Sequence, residues 1–556
     1  MHRKKFIVLI LLVSGAVLFS CKKQNVREYN RILLEGQWNF RLDEMDAGMK
    51  EEWFTKNFKD TILLPGSLQE QGYGNEVTIQ TEWTGQIMNR SWFTEEKYAD
   101  YRKPGHIKIP FWLQPKKHYV GVAWYQKQVS IPKSWKGKQI FLSMERCHWK
   151  TQLWVDENLI GSQKSLAAPH EYNVTNYLNP GPHRLTLQID NHLIVDVGKN
   201  AHSVSDHTQT NWNGVIGKIH LQALDKVFIE SIRTFPDIKS NKVNVETTVI
   251  NRSDRILKGK IKISGNFEAG SDQYKIKSLD LESDILSGKN LINTQYNLGD
   301  KISLWDEFHP ALYRLSVQIK GNSFIDEKFV SFGMREFETK EKYFFINGHP
   351  TLLRGTLECC IFPRTGYPAM DKDAWLRIFQ ICRDHGLNHM RFHSWCPPEA
   401  AFDAADQMGF YLQVECGAWT EVGSGIPFDD WLYEESERII KYYGNHPSFC
   451  MFTYGNEPSG ENQVSFLSEF VRYWKNKDPR RVYTSAAGWP VIEDSDYHST
   501  YEPRIQLWGA GLSSIINSQP PQTRFDFKEI TENYDKPVVS HEIGQWCVYP
   551  NFKEIP

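Results

Sequence analysis

Two glutamates close apolar runs in the C-terminal part of the chain. The first run, Ser448-Phe-Cys-Met-Phe-Thr-Tyr454, passes through Gly455 into Asn456-Glu457-Pro458. The second, Lys536-Pro-Val-Val-Ser540, ends in His541-Glu542-Ile-Gly544. A lone glutamate after a strand is ordinarily a solvated loop residue. Two of them, each at the end of a strand pattern, supply what retaining cleavage of a glycosidic bond requires. One protonates the leaving oxygen and the other attacks the anomeric carbon, with the carboxyls about 5–5.5 Å apart. Asn456, beside the first glutamate, is suited to hydrogen-bond a sugar 2-hydroxyl, a contact that strengthens in an oxocarbenium-like transition state.

Such a pair acts only if separate elements carry it to one place. After Phe344 the hydrophobic period becomes helical. Trp375, Ile378, Phe379 and Cys382 fall at i, i+3, i+4 and i+7, with Asp371 and Asp373 at the start and Gly386 at the end. Strand-like Asn388–Phe392 follows, then a helix from near Pro398 to Gly409, a strand Phe410–Glu415, and a helix Asp429–Tyr443. The strand Phe449–Tyr454, the helix Val464–Asn476 and the strand Arg481–Ser485 continue the alternation. Strands alternating with helices predict parallel βαβ units, and this many predict a (β/α)₈ TIM barrel over 339–556. Active sites of that barrel lie at the C-terminal strand ends, where both glutamates fall.

Upstream, short alternating runs such as Val122–Ile131, Gln139–Ser143 and Gln152–Asp156 are punctuated by turns such as Asn179-Pro-Gly-Pro182. They predict a jelly-roll β-sandwich over 31–225 and an immunoglobulin-like β-sandwich over 226–338.

With these elements in order, the chain resembles glycoside hydrolase family 2, which contains β-galactosidases, β-glucuronidases and β-mannosidases. Six ordered segments carry the resemblance: Gly36-Gln-Trp-Asn-Phe40 with Leu64-Pro-Gly66; Asn211-Trp-Asn-Gly-Val-Ile-Gly217; Trp305–Tyr313 with Phe332-Gly-Met-Arg335; Phe345–Pro350 with Leu353-Arg-Gly355; Asn456-Glu457; and Glu542-Ile-Gly544. The resemblance implies that Glu457 is the acid/base and Glu542 the nucleophile of an exo-acting β-glycosidase, β-galactosidase-like first and β-glucuronidase as the alternative. It also implies weaker roles nearby. Arg391 and Glu415 match family residues after the second and third barrel strands, either as sugar ligands or as an internal ion pair. His393, Trp395 and Trp546 are candidates to line the pocket, as is Trp419. His498 and Tyr501 are candidates to orient the nucleophile or touch the sugar. Glu358, Glu421 and Glu502 are rival carboxylates without a matching motif.

Two departures stand out. The family's Arg-x-x-His is here Arg391-Phe-His393-Ser394, with the histidine one position early. The chain also stops at Pro556, soon after Glu542, so the expectation is a barrel incomplete at its C-terminus. A glucuronidase needs cationic and amide groups for the sugar carboxylate; Asn551-Phe-Lys553 has that form but follows Glu542 closely. A reading of another class is a non-catalytic glycan-binding lipoprotein that keeps the jelly roll.

The net charge of −2 offers no global field for nucleic acid. Retaining hydrolysis by two carboxylates needs no cofactor. Family analogy allows a metal near Glu415, but no ligand spacing asks for one. Scattered cysteines read as buried thiols. At the N-terminus, Met1–Lys5 is basic, Phe6–Phe19 is almost wholly apolar, and Leu18-Phe19-Ser20-Cys21 resembles a bacterial lipobox. A signal peptide over 1–20, acylation of Cys21 and a tether over 21–30 are expected. These would place the protein outside the cytoplasm on a lipid anchor, its sole tie to a membrane. Lys22-Lys-Gln24 lacks an acidic sorting tract, favouring the periplasmic face over the cell surface.

Overall fold

The computed structural model describes residues 30–545 except 82–90, 110–111, 203, 205–210, 270–271, 508–509, 521, 523 and 525. Cys21 and Trp546 lie outside the described residues. Two sandwiches precede a barrel, the architecture anticipated from the strand and helix patterns.

In the first sandwich, one sheet orders Asn158–Lys164, Lys150–Val155, Gly181–Asp190, Val122–Ile131, Gly36–Asp43 and Asp60–Leu64. The facing sheet is built on Gly214–Leu224 and Gln139–Cys147. Alternation of half-buried and buried residues from Gln139 to Arg146 turns one face inward. The inward residues, from Leu34 to Ala223, form one core. A second core, from Val227 to Met334, fills a sandwich of a three-stranded and a four-stranded antiparallel sheet.

The barrel strands are β1 (Gly355–Glu358), β2 (His389–Phe392), β3 (Tyr411–Glu415), β4 (Phe449–Thr453) and β5 (Val482–Tyr483), hydrogen-bonded in that order and all parallel. A separate parallel pair, β6 (His498–Thr500) and β7 (Val538–Ser540), follows. Every residue of β2, β3 and β4 is buried, as expected of strands covered on both faces. Helices α1 (Lys372–Asp384), α2 (Glu399–Met408), α3 (Pro427–Tyr443) and α4 (Gln463–Lys477) cover the sheet. The Asp371 carboxylate caps α1 by accepting from the Ala374 N–H at 2.8 Å. Trp375 and Phe379 of α1 pack on Phe392 and Phe410. After α2, Gly409 turns with φ +70, and a Cβ there would lie 2.5 Å from the Asp306 carbonyl of the second sandwich. One glycine thus ends the helix and admits the neighbouring domain.

Polar contacts join the domains. Arg146 of the first sandwich donates to the Cys396 and Pro397 carbonyls at 2.8 and 2.9 Å. Glu435 of α3 accepts from the N–H groups of Leu166 and Ala167 at 2.9 and 2.8 Å. Trp305 of the second sandwich donates Nε1–H to the Asp406 carbonyl at 2.8 Å. Because the Arg146 and Glu435 contacts seat the first sandwich on the loop after β2 and on α3, that sandwich can reach the strand ends.

Candidate active site

Glu457 follows β4 on a segment whose backbone is pinned from both sides. Asn456 N–H donates to the Ala418 carbonyl and Glu457 N–H to the Ala487 carbonyl, each at 2.9 Å. Gly455 is required by the first approach, since a Cβ there would sit 2.3 Å from the Ala418 oxygen. The turn leaves Glu457 at φ +34, a left-handed conformation that L-residues with side chains rarely adopt. Strain of this kind costs about 1–3 kcal/mol and persists only where the surroundings impose it.

Glu542 lies just beyond β7 and is buried. Its Oε1 is 3.1 Å from His393 Nε2 and 3.9 Å from Arg391 Nη1. Its Oε2 accepts from Gln545 Nε2 at 2.5 Å and lies 3.4 Å from Arg504 Nη2. Burial alone would push this carboxyl up, but the hydrogen bond from His393 and the neighbouring cations hold it well below the usual carboxylate range. It is therefore ionised at neutral pH. Burial, with Arg391 nearby, lowers the pKa of His393, which keeps that ring neutral. Because an ionised carboxylate only accepts, Nε2 carries the proton and Nδ1 accepts from the Ser394 hydroxyl at 3.1 Å.

His541 stands between the two glutamates. Its Nε2 is 3.2 Å from Glu457 Oε1 and 3.8 Å from Glu542 Oε1. Together these distances cap the separation of the two Oε1 atoms at about 7 Å.

Arg391 and Glu415 resolve into an internal ion pair rather than free ligands. Arg391 Nε and Nη2 donate to the Glu415 carboxylate at 2.6 and 3.3 Å. The guanidinium also donates to the Asn456 side-chain oxygen at 2.7 Å and to the His541 carbonyl at 3.0 Å. Glu415 further accepts from Ser394 N–H at 2.6 Å and Gln413 Nε2 at 3.1 Å. Both of its oxygens are thus filled by donors, which does not suit a bound cation beside it. Burial would raise Glu415, but Arg391 overturns that and holds it below the ordinary value. With Asn456 Oδ1 held by Arg391, its buried Nδ2 has no acceptor among the described residues.

The early histidine finds its use here, since His393 reaches Glu542 while Ser394 binds Glu415. Trp419, whose ring lies 5.2 Å from His393, lines the site. Three candidates fall elsewhere. Trp395 is buried among Trp375 and Phe392 and gives its N–H to the Glu358 carbonyl at 3.1 Å, because the chain turns sharply at Ser394 (φ +51). His498 points toward Tyr534 and Asp535 at the start of β7, the end of the pair remote from Glu542. Tyr501 is exposed, and its carbonyl rather than its ring takes part, accepting from Arg504 Nε at 2.7 Å. Among the rivals, Glu358 turns back onto the Cys360 N–H at 2.8 Å and is pushed up to about 7 by burial. Glu421 and Glu502 are exposed.

Four contributors have no role assigned from the sequence: Arg504, Gln545, His541 and His202. The last belongs to the first sandwich. Its N–H donates to Ser394 Oγ at 2.8 Å, and its ring meets that of His393 edge-on at 4.6 Å.

Three domain profiles match in succession: the sugar binding domain of glycosyl hydrolases family 2 over 86–224, the glycosyl hydrolases family 2 domain over 227–335, and the family's TIM barrel domain over 337–546. The chain belongs to glycosyl hydrolases family 2. A beta-galactosidase of Clostridium acetobutylicum is 23% identical over 516 residues, covering 88% of this chain and 52% of the relative. A beta-galactosidase of Streptococcus thermophilus is 21% identical over 549 residues, covering 92% of this chain and 49% of the relative. The chain therefore spans about half the length of these curated relatives. Among solved structures, the Parabacteroides merdae beta-glucuronidase with glycerol in its active site superposes with a TM-score of 0.67 at 19% identity, covering 88% of this chain and 60% of that one. At that identity the likeness speaks for the fold.

Proposed function

We infer that the site performs retaining hydrolysis of a terminal β-linked sugar, with Glu542 as nucleophile and Glu457 as acid/base. The observation that carries this reading is the His541-centred geometry. The ceiling of about 7 Å between the carboxylate oxygens admits the ~5–5.5 Å of retaining enzymes and excludes most of the ~6.5–9.5 Å range of inverting ones. The charge states agree with the roles, since the attacking Glu542 is held ionised by His393 and the neighbouring cations. In the first step the Glu542 oxygen bonds the anomeric carbon as the carbon–oxygen bond to the leaving group breaks, and Glu457 protonates the departing oxygen. In the second, the water oxygen bonds the anomeric carbon as the bond to Glu542 breaks, and Glu457 takes the proton that water gives up. Asn456 Nδ2, which has no acceptor among the described residues, supports a contact to the sugar 2-hydroxyl.

A β-galactoside is the first choice of substrate, supported by the names of the curated relatives; a β-glucuronide is the second, supported by the solved relative from Parabacteroides merdae. The reading as a glycan-binding lipoprotein has less support, because a merely retained fold gives no reason to hold a buried carboxylate ionised beside Glu457. Export and lipid anchoring through Cys21 remain part of the proposal, resting on the apolar leader and the lipobox-like string.

A panel of nitrophenyl β- and α-glycosides tests the reading. The expected result is turnover of one β-sugar, lost in Glu542→Gln together with the covalent glycosyl-enzyme. Glycan binding without turnover of any β-glycoside would overturn it in favour of the binding-protein alternative.

A further inference from the structure

His541 is buried at the junction of the two carboxylates, and its hydrogen bonds define its protonation. Nδ1 lies 3.0 Å from the Thr500 carbonyl. A carbonyl only accepts, so Nδ1 carries a hydrogen. In the neutral ring Nε2 then presents a lone pair, and Glu457 Oε1 lies 3.2 Å away along it. Two acceptors do not approach so closely without a proton between them, so the Glu457–His541 pair holds one. Two arrangements satisfy this: a protonated Glu457 donating to a neutral ring, or an imidazolium donating to an ionised Glu457.

The surrounding charges select between them. Arg504 Nη2 lies 3.1 Å from the same Nε2, and Arg391 Nη1 donates to the His541 backbone carbonyl at 3.0 Å. In the imidazolium arrangement two carboxylates would oppose these cations among the described residues, Glu457 itself and Glu542, but Glu542 Oε1 is 3.8 Å away and already engaged by His393. A guanidinium against Nε2 disfavours a second cation on the ring. The contacts of Nε2 thus favour the first arrangement.

We propose that His541 is a positioning residue that keeps Glu457 in its protonated, acid-ready form by accepting its hydrogen bond, with Thr500 fixing the tautomer and Arg504 excluding the imidazolium. This rests on the acid/base role of Glu457 inferred above. When that proton passes to the leaving oxygen, Glu457 becomes a carboxylate and the Arg504 N–H is left as the donor to Nε2. The proton taken from water in the second step restores the starting state. A hydrogen bond made to the neutral form of an acid disfavours its ionisation, so removing the His541 acceptor should make the Glu457 proton easier to lose.

Two measurements on the full chain test this. In His541→Gln, the alkaline limb of kcat/KM should move at least one pH unit lower. The loss above neutral pH should be about tenfold or more on phenyl β-D-galactopyranoside and slight on the 2,4-dinitrophenyl analogue, whose leaving group needs little protonation. An unmoved limb with equal loss on both substrates would overturn the proposal. The second measurement needs no turnover. In protein carrying ¹⁵N-labelled histidine, His541 should show a protonated Nδ1 and an Nε2 shifted by an accepted hydrogen bond, the latter shift disappearing in Glu457→Ala. A protonated Nε2 in the neutral ring, or a resonance indifferent to Glu457→Ala, would overturn it as well. Failure of the wild type on every β-glycoside, with the resonances as expected, would sink the hydrolase reading and leave the tautomer and proton sharing intact.

Discussion

Replacing Arg391 by methionine should destabilise the barrel far more than an ordinary surface change. Arg391 is buried and makes five polar contacts: two to Glu415, and one each to Asn456, the His541 carbonyl and Glu542. Without it Glu415, fully buried, keeps its charge among two remaining donors, Ser394 N–H and Gln413. Breaking a buried ion pair from one side costs about 3–5 kcal/mol, because an uncompensated charge is left behind. For a domain of 150–250 residues each kcal/mol lowers Tm by about 2–4 °C, so the barrel transition should fall by roughly 6–20 °C. The pH dependence has a definite sign. In the wild type Glu415 is depressed below its unfolded value, so it adds stability above about pH 4.3 that is lost as pH falls through the folded pKa. In Arg391→Met burial without the cation raises the folded pKa above the unfolded one. The deficit is then greatest at neutral pH and shrinks toward pH 4. Calorimetry across pH, on the single variant and on Arg391→Met/Glu415→Gln, measures both effects. The double variant should recover most of the loss at neutral pH. A Tm drop under about 2 °C, or a double variant no better than the single, would refute the reasoning.

His393→Ala removes the hydrogen bond that helps keep Glu542 ionised; the acidic limb of kcat/KM should move to higher pH, and an unshifted limb would count against the assigned tautomer. Gly488→Ala introduces a Cβ 3.0 Å from Glu457 Cγ at φ +100. It should slow unactivated glycosides by about 10-fold or more while activated aryl glycosides lose less, as steady-state kinetics on the two classes would show. Trp305→Phe leaves the Asp406 carbonyl, in the last turn of α2, without its buried donor. The barrel should lose about 1–3 kcal/mol in denaturant titrations.

The elements that carry the site were legible because their punctuation is local. Asp371 caps α1, Gly409 ends α2, and β4, apolar up to Thr453, reads as a buried strand from its residues alone. Glu457 and Glu542 were legible because each ends such a strand. What escaped was direction and long-range pairing. Trp395 follows β2 directly, but whether it faces the pocket or the core depends on the left-handed turn at Ser394, which a serine does not advertise. His498 falls on β6, yet its contacts lie at the opposite end from the nucleophile. Arg504 sits in an irregular loop without a motif, and only the fold brings it to Glu542. Similarly, nothing near His202 signals that a sandwich domain will reach Ser394.

The left-handed backbone at Glu457 bears on how this protein would respond to laboratory evolution. Glycine and asparagine tolerate that conformation far better than glutamate. Variants selected only for heat resistance should therefore discard the acid early, trading turnover for endurance at a single codon. Libraries screened for both properties should keep Glu457 and gain robustness elsewhere. The position thus marks where selection on activity and selection on longevity pull the same residue in opposite directions.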